Sequence, residues 1–533
     1  MLICSWDKEI KHWLPGALAN RCVIMSSMSS EKQTQQINSF QVAKANGLLI
    51  LSYETLSRNI EHLKRKGPYQ PYGLLVCDEA HRLKNPETIQ FKALYDLPTV
   101  SRIMISGTPV QNVLKEFHAL IDFCIPQCLG DTKAFNKTFG RPIERARDVG
   151  ATDKELTRGK EANDLFNAHV KEIMLRRTNE TIAKFLPPKE DVVVFCTLTK
   201  RQQQLYTETC QNNAVSSFVR ISNLKKIVNH PSMLQLGDDA PKQSFRGRPP
   251  PFDYSQSGKM LVLMDLLESV KRRTSDRFVL ISNFTSTLDL FQQMLDQKKL
   301  TWVRLDGSAN ANKRQTIVDN FNGDPSCFCF LLSSKAGGCG INLIGGNRLI
   351  LFDPDWNPAT DQQALARVWR SGQKKKCFIY RFFATGSVEE VVYERQLSKE
   401  GLAGQVVDDN SEARKFSSEE LRQLFRPNFA TFSSMHDSMG CTCCETVAEP
   451  SSVLPEHGST TSVDENGFLH LKPGSHELLA KDECLGCVQR HVSLVFVRTT
   501  DLTSQAPPPA RCEEVEEDEM GVSDDADETD DVD

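Results

Sequence analysis

Two adjacent acids and a histidine, Asp78, Glu79 and His81, close the stretch GLLVCDEAH from Gly73 to His81. An apolar run of strand length ending in two carboxylates is how α/β nucleotide hydrolases set a magnesium ligand and a water-positioning acid at the carboxyl end of a central strand. Read alone, the four letters DEAH also fit the start of a surface helix. Far downstream, Arg367 and Arg370 stand at i and i+3 in QALARVWRSGQ. On a helix that spacing aims both guanidinium groups at one target. Two always-charged, forked donors suit a phosphate chain; a structural ion pair is the alternative. A third group is sulfur-based. Cys441 and Cys444 have metal-ligand spacing, as do Cys484 and Cys487, and His436, His470 or His491 could complete a four-ligand site. Zinc and reduced thiols both remain open for them.

These residues need elements to hold them. Short apolar runs bounded by turns predict strands at 21–25, 47–52, 73–78 and 101–106, the pattern of a parallel sheet covered on both faces. A second series predicts strands at 277–283, 302–305, 328–333, 348–353 and 378–383, preceded by a helix, GKMLVLMDLLESVKRR, with an apolar stripe of Leu261, Met264, Leu266 and Leu267. Between the two series the chain is helical, charged and irregular, with a strand at 192–197 after Pro187-Pro188 and a proline-rich loop from Pro241 to Gly258. The second series contains a glycine-rich turn, SSKAGGCG, from Ser333 to Gly340. Glycines there either make a tight turn or bring backbone amides close to a phosphate. Lys374 to Lys376 are a solvated face or a phosphate contact. The expected division is 1–130, a nucleotide-binding lobe; 131–256, a helical insertion and linker; 257–415, a second lobe; and 416–533, a cysteine-bearing segment with an acidic end.

The 533 residues and 39% hydrophobic content allow three or four domains with real cores. A net charge of −5 means that nucleic-acid binding has to come from local basic surface. No apolar run is long enough to span a bilayer, and no membrane partner is expected. The start is unlike a secretory signal. Seventeen cysteines, several inside predicted strands, fit a reducing compartment. The last residues, EEVEEDEMGVSDDADETDDVD, repel themselves into disorder.

The order DEAH, SGTPVQN (Ser106 to Asn112) and then the two-arginine block resembles the SWI/SNF-like ATPases of helicase superfamily two. QALARVWRSGQ sets the chain apart from the RNA helicases, whose block resembles QRxGRxGR. The run from Ser333 to Glu390, with LDLF and VRLDGS, is similar to the duplex-DNA translocases of homologous recombination within that family, and the likeness extends from Leu2 to about Asn428. The resemblance implies an α/β fold of two RecA-like lobes, the first incomplete, with helical insertions and a largely disordered carboxyl-terminal tail. It implies ATP and Mg²⁺ as cofactors, double-stranded DNA and a RecA-like recombinase filament as partners, and a nuclear setting. By the same resemblance Asp78 holds Mg²⁺, Glu79 orients the attacking water, and His81, Ser106 and Thr108 couple nucleotide state to DNA. Arg367 and Arg370 neutralise developing charge with Gln363 in support, and Ser334, Gly337, Gly338, Gly340 and Lys374 meet DNA phosphate. One part of the family pattern is missing from these residues. A phosphate cradle needs G-x-x-x-x-G-K-[ST], and Gly159-Lys160 and Gly258-Lys259 are followed by the wrong residues. Amino-terminal truncation is the expectation. Two functions follow: an ATP-driven duplex-DNA translocase acting in recombination repair, or a catalytically impaired fragment serving as a DNA- or recombinase-binding adaptor.

Overall fold

The computed structural model describes residues 2–14, 20–24, 28–42, 47–64, 72–107, 114–146, 151–177, 180–212, 214–234, 252–308, 311–337, 340–403, 424–441, 463–464 and 466–500. The first α/β unit holds β1 (Asn20–Val23) parallel to β2 (Gly47–Ile50), and β3 (Tyr72–Cys77) parallel to β4 (Thr99–Met104). The two pairs share one apolar core, in which Ile24, Ile37, Leu56, Leu63, Cys77, Leu83 and Phe91 are buried. The expectation that both faces of this sheet are covered is not met. Alternation along β3 and β4 sends Leu74, Val76 and Ile103 outward, and no described element covers them.

The helices from Leu114 to Ile173 pack on a separate aromatic core of Phe117, Phe135, Phe139 and Phe166. The helix Asp153–Ile173 starts from a capping box in which Thr152 and Glu155 bond reciprocally.

The second unit is built on an eight-stranded sheet, ordered β11-β12-β5-β10-β9-β6-β8-β7. Its strands are β5 (Lys189–Cys196), β6 (Phe278–Ser282), β7 (Trp302–Leu305), β8 (Cys329–Ser333), β9 (Arg348–Leu351), β10 (Cys377–Ala384), β11 (Leu469–Leu471) and β12 (Val492–Thr500). The strands from β5 to β7 in this order are parallel, and the central ones, β6, β8 and β9, are buried along their whole length, as near-continuous apolar runs require. Three strands, β5, β11 and β12, come from outside 257–415. β5 lies in the stretch read as insertion and linker, and it pairs with β10 over eight residues. β12 lies in the stretch read as cysteine-bearing tail, and it pairs antiparallel with β5. Backbone pairing and burial of Val495 and Phe496 decide this placement, which chain position alone does not reveal. The helix Gly258–Arg273 is buried on more sides than its expected stripe, because β5 and β10 and the helix Glu483–Gly486 both pack on it. The terminal acidic run lies outside the described residues.

Candidate nucleotide cleft and nucleic-acid surface

The acids sit where β3 ends. Asp78 Oδ1 accepts the Glu79 amide at 2.8 Å, and Glu79 takes a left-handed backbone, φ 50° and ψ 46°, that turns the chain into the short helical turn Ala80–Leu83. A non-glycine residue in that region is uncommon and is held here by its surroundings. The Ala80 amide donates to Ile105 O at 2.9 Å, and the Ile105 amide to Cys77 O at 2.8 Å, locking the ends of β3 and β4 together. Tyr53, on a helix capped by Ser52, donates its hydroxyl to Asp78 O at 2.7 Å. His81 Nδ1 lies 3.2 Å from Ser106 Oγ and 3.4 Å from Glu79 Oε2, and burial lowers the imidazole's pKa despite the nearby acid. Asp78, Glu79, His81 and Ser106 thus form one cluster. Thr108 lies outside the described residues.

The arginines are placed differently from the expectation. The helix Pro358–Leu365 carries Gln363 but stops before them, and residues 366–370 run on as turns in which the Arg367 amide reaches back to Ala364 O at 3.3 Å. What fixes the arginine segment is the stretch just after the glycine-rich turn. The Leu343 amide donates to Arg367 O at 3.0 Å, and Arg370 Nη1 donates to Ile341 O at 3.2 Å. Arg367 is buried, and burial lowers the pKa of Arg370 while Glu9 pulls it back. Gly340 adopts φ +61°, a conformation that favours glycine, and Ser334 opens the short helix Ser334–Gly337 with its side chain buried. Gly338 lies outside the described residues. Lys374 is exposed, its backbone amide bound to Gln373 Oε1.

One helix links the two sets. Leu2–Trp13 sends Trp6 Nε1 to Asp78 Oδ2 at 2.8 Å, and three residues on, Glu9 acts on Arg370 through its charge. Residues at i and i+3 share a helix face. The helix thus bonds an acid of one lobe and carries a charge that acts on Arg370 of the other. Lys8 also reaches Asp319 of the second lobe, at 3.9 Å.

Sequence reading missed the groups behind the arginine segment. Lys259, whose Gly-Lys pair failed as a phosphate loop, is fully buried, with Nζ 2.8 and 3.0 Å from the Glu389 oxygens and 3.1 Å from Asn229 Oδ1. Lys225 donates to Pro354 O at 3.1 Å and lies over the Trp356 ring; burial lowers its pKa. Asp361 accepts from the Asp355 amide and from Gln396, and burial pushes its carboxyl up to about 7. These contacts tie the loop 353–358 to the second-lobe helices. A lysine inside an apolar helix and an isolated Asp-Gln pair carry no spacing signal that would have found them.

The sulfur group resolves in part. Ligand atoms of His436, Cys441 and His470 lie within 4.8 Å of one another, while Cys484 is buried elsewhere against the helix Gly258–Arg273. Cys444 lies outside the described residues. Burial lowers the pKa of both histidines, which favours the neutral imidazole that a metal needs. Nitrogen and sulfur donors in this number fit a tetrahedral zinc better than a hard cation.

Residues 1–238 match the SNF2-related domain family and residues 258–372 the helicase conserved C-terminal domain. By these matches the chain belongs to the SNF2-related helicase family, and its α/β architecture of parallel sheets agrees. It is 44% identical over 473 residues to DNA repair protein rhp54 of Schizosaccharomyces pombe, covering 83% of this chain and 55% of that protein. It is 43% identical over 477 residues to DNA repair and recombination protein RAD54 of Saccharomyces cerevisiae, covering 83% and 52%. Among solved structures, the Sulfolobus solfataricus SWI2/SNF2 ATPase core in complex with dsDNA is 24% identical, with 80% of this chain and 84% of that one covered and a TM-score of 0.37. The family assignment rests on the sequence matches. The chain spans about half the length of these curated relatives. Among the described residues no helix is long and apolar enough to cross a membrane.

Proposed function

We propose that this chain carries the motor of an ATP-dependent duplex-DNA translocase that remodels DNA in recombination repair, working with a RecA-like recombinase in the nucleus. The observation that carries the reading is the helix Leu2–Trp13, which bonds Asp78 through Trp6 and acts on Arg370 through the charge of Glu9, since a phosphoryl-transfer site needs an acid-held metal on one side and a guanidinium on the other. Asp78 and Glu79, half-exposed at a strand end, fit a hard cation, and Arg370 fits a terminal phosphate. No G-x-x-x-x-G-K-[ST] cradle is present among these residues, so the fit to the inner phosphates of ATP is incomplete. When bound, magnesium and ATP supply the transferring phosphoryl group and the charge that screens it. Glu79 orients water, and Arg370 stabilises charge as it develops. His81 hydrogen-bonds Ser106 and so transmits changes at the acids toward β4 and the residues after it.

Sequence similarity to proteins named for DNA repair and recombination supports the substrate class. The glycine-rich turn, with Ser334, Gly337, Gly338 and Gly340, and the exposed Lys374 are the second-lobe contacts to phosphate. His436 and Cys441, with Cys444 and His470, hold a structural zinc.

The test is duplex-stimulated ATP hydrolysis. Glu79→Gln lowers the stimulated rate by about 10²-fold or more, while Gln at that position leaves DNA affinity in place. Duplex binding with no nucleotide binding in the native chain would replace the motor with the adaptor reading.

A further inference from the structure

The helical run Thr132–Arg145 carries two stripes with a period of four. Phe135, Phe139 and Ile143 are buried on one side, and Lys133, Lys137, Arg141 and Arg145 are exposed on the other. An α-helix repeats every 3.6 residues, so a strict period of four drifts around it. Here the drift is removed by the backbone. Asn136–Gly140 is a π-turn, with the Arg141 amide donating back to Asn136 O, between the α-helical pieces Thr132–Phe135 and Arg141–Arg145. A wider turn in the middle keeps both stripes in line, and such turns concentrate at functional sites. The apolar stripe is anchored by Phe135, Phe139 and Phe166, whose ring centroids lie 5.6 to 5.9 Å apart. Anchored that way, the basic side chains cannot rotate out of the solvent face as a group.

Charge on this ridge is not neutralised locally. Among the described residues Lys133, Lys137 and Arg141 form no ion pair, while Arg145 lies near Glu155. Asp131 uses its carboxylate to cap the run through the Ala134 amide, leaving Glu144 as the other acid on it. The neighbours on the exposed side are Thr132, Ala134 and Thr138, polar or small, so the ridge has no apolar rim for a membrane. Hydroxyls interleaved with cations are the donors that phosphate backbones take. From Lys133 to Arg145 the ridge is roughly 18 Å long, in a chain whose net charge is −5.

We infer that this ridge is a second contact for duplex DNA, gripping the phosphate backbone without reading sequence. It lies on the helices that follow the first lobe, apart from the glycine-rich turn and Lys374 of the second. Two grips on separate bodies would hold the track while the cleft between lobes opens and closes. The inference rests on the motor reading for its partner, and its test does not need hydrolysis.

Binding of the full chain to a short duplex is followed by fluorescence anisotropy from about 50 to 200 mM salt. Lys137→Gln with Arg141→Gln makes the slope of log affinity against log salt shallower by about 1.8, two contacts at about 0.9 each. Binding weakens equally on duplexes of unrelated sequence, and Lys137→Arg with Arg141→Lys restores the slope. An unchanged slope in the doubly neutralised chain overturns the ridge and leaves the motor reading standing. A loss seen on duplex RNA but not on DNA also overturns it. A shallower slope in a chain that hydrolyses no ATP supports the ridge and removes the motor. A native chain that binds no duplex removes both.

Discussion

At the scale of single residues, the sharpest contrast is between the acids that face the cleft and the charges that never see water. Asp78 and Glu79 remain partly exposed, as groups proposed to meet a metal and a water must. Lys259 and Glu389 are fully buried, and their separation of 2.8 Å offsets the cost of desolvating both. Burial raises the Glu389 pKa, and the Lys259 ammonium beside it works against that rise. Removing one partner leaves the other as an uncompensated charge. Lys259→Met is therefore expected to cost about 3–5 kcal/mol in urea unfolding, and adding Glu389→Met is expected to recover most of the loss. Equal destabilisation in the single and double variants would show that packing, and not charge pairing, sets the cost. Gly258 beside it cannot be replaced either, since a Cβ there would lie 1.9 Å from Thr197 O.

At the scale of elements, the second-lobe sheet is completed by strands from both sides of its expected span. β12, VSLVFVRTT, carries a continuous apolar run and buries Leu494, Val495, Phe496 and Val497 against β5 and the layers beneath. β11 follows it antiparallel and carries His470, whose ring stacks on Phe496 at 3.9 Å. His436 comes from the helix Ser434–Ser438, whose first amide donates to Glu390 Oε2 at 2.8 Å. A zinc at these histidines and Cys441 would clasp the helix Ser434–Ser438 with its following turn to β11 at the sheet edge, and metal binding of that kind contributes directly to folding. The purified chain is expected to hold about one zinc by atomic absorption, and removal by a chelator is expected to lower the unfolding temperature by several degrees. Cys441→Ser should reproduce the chelated behaviour. A metal-free chain whose melting is indifferent to chelator would end the zinc assignment.

At the scale of the whole molecule, the lobes meet through the helix Leu2–Trp13. The Lys8–Asp319 pair is more than half exposed on both sides, so it contributes little and does not fix the lobes. The Trp6–Asp78 bond matters more, because it uses one oxygen of the carboxylate proposed to hold magnesium. Adding magnesium with a non-hydrolysable ATP analogue is expected to displace the indole and change its fluorescence, and Trp6→Phe is expected to abolish that part of the signal. An identical change in the variant would mean that Trp6 stays where it is when nucleotide enters. The sequence by itself determined the strand series of both units, the acids at the end of β3 and the arginine block. These signals are local, carried by apolar runs, turns and adjacent side chains that need no distant partner. It also determined the family, because ordered motifs survive in sequence. Only the tertiary structure decided that Arg367 and Arg370 leave their helix to bond Leu343 and Ile341, just after the glycine-rich turn, and that β5 and β12 join one sheet. It alone gathered His436, Cys441 and His470 and buried Lys259 beside Glu389. Each of these depends on groups up to hundreds of residues apart, whose pairing is set by burial and backbone hydrogen bonding across the sheet, and no window of sequence contains both partners.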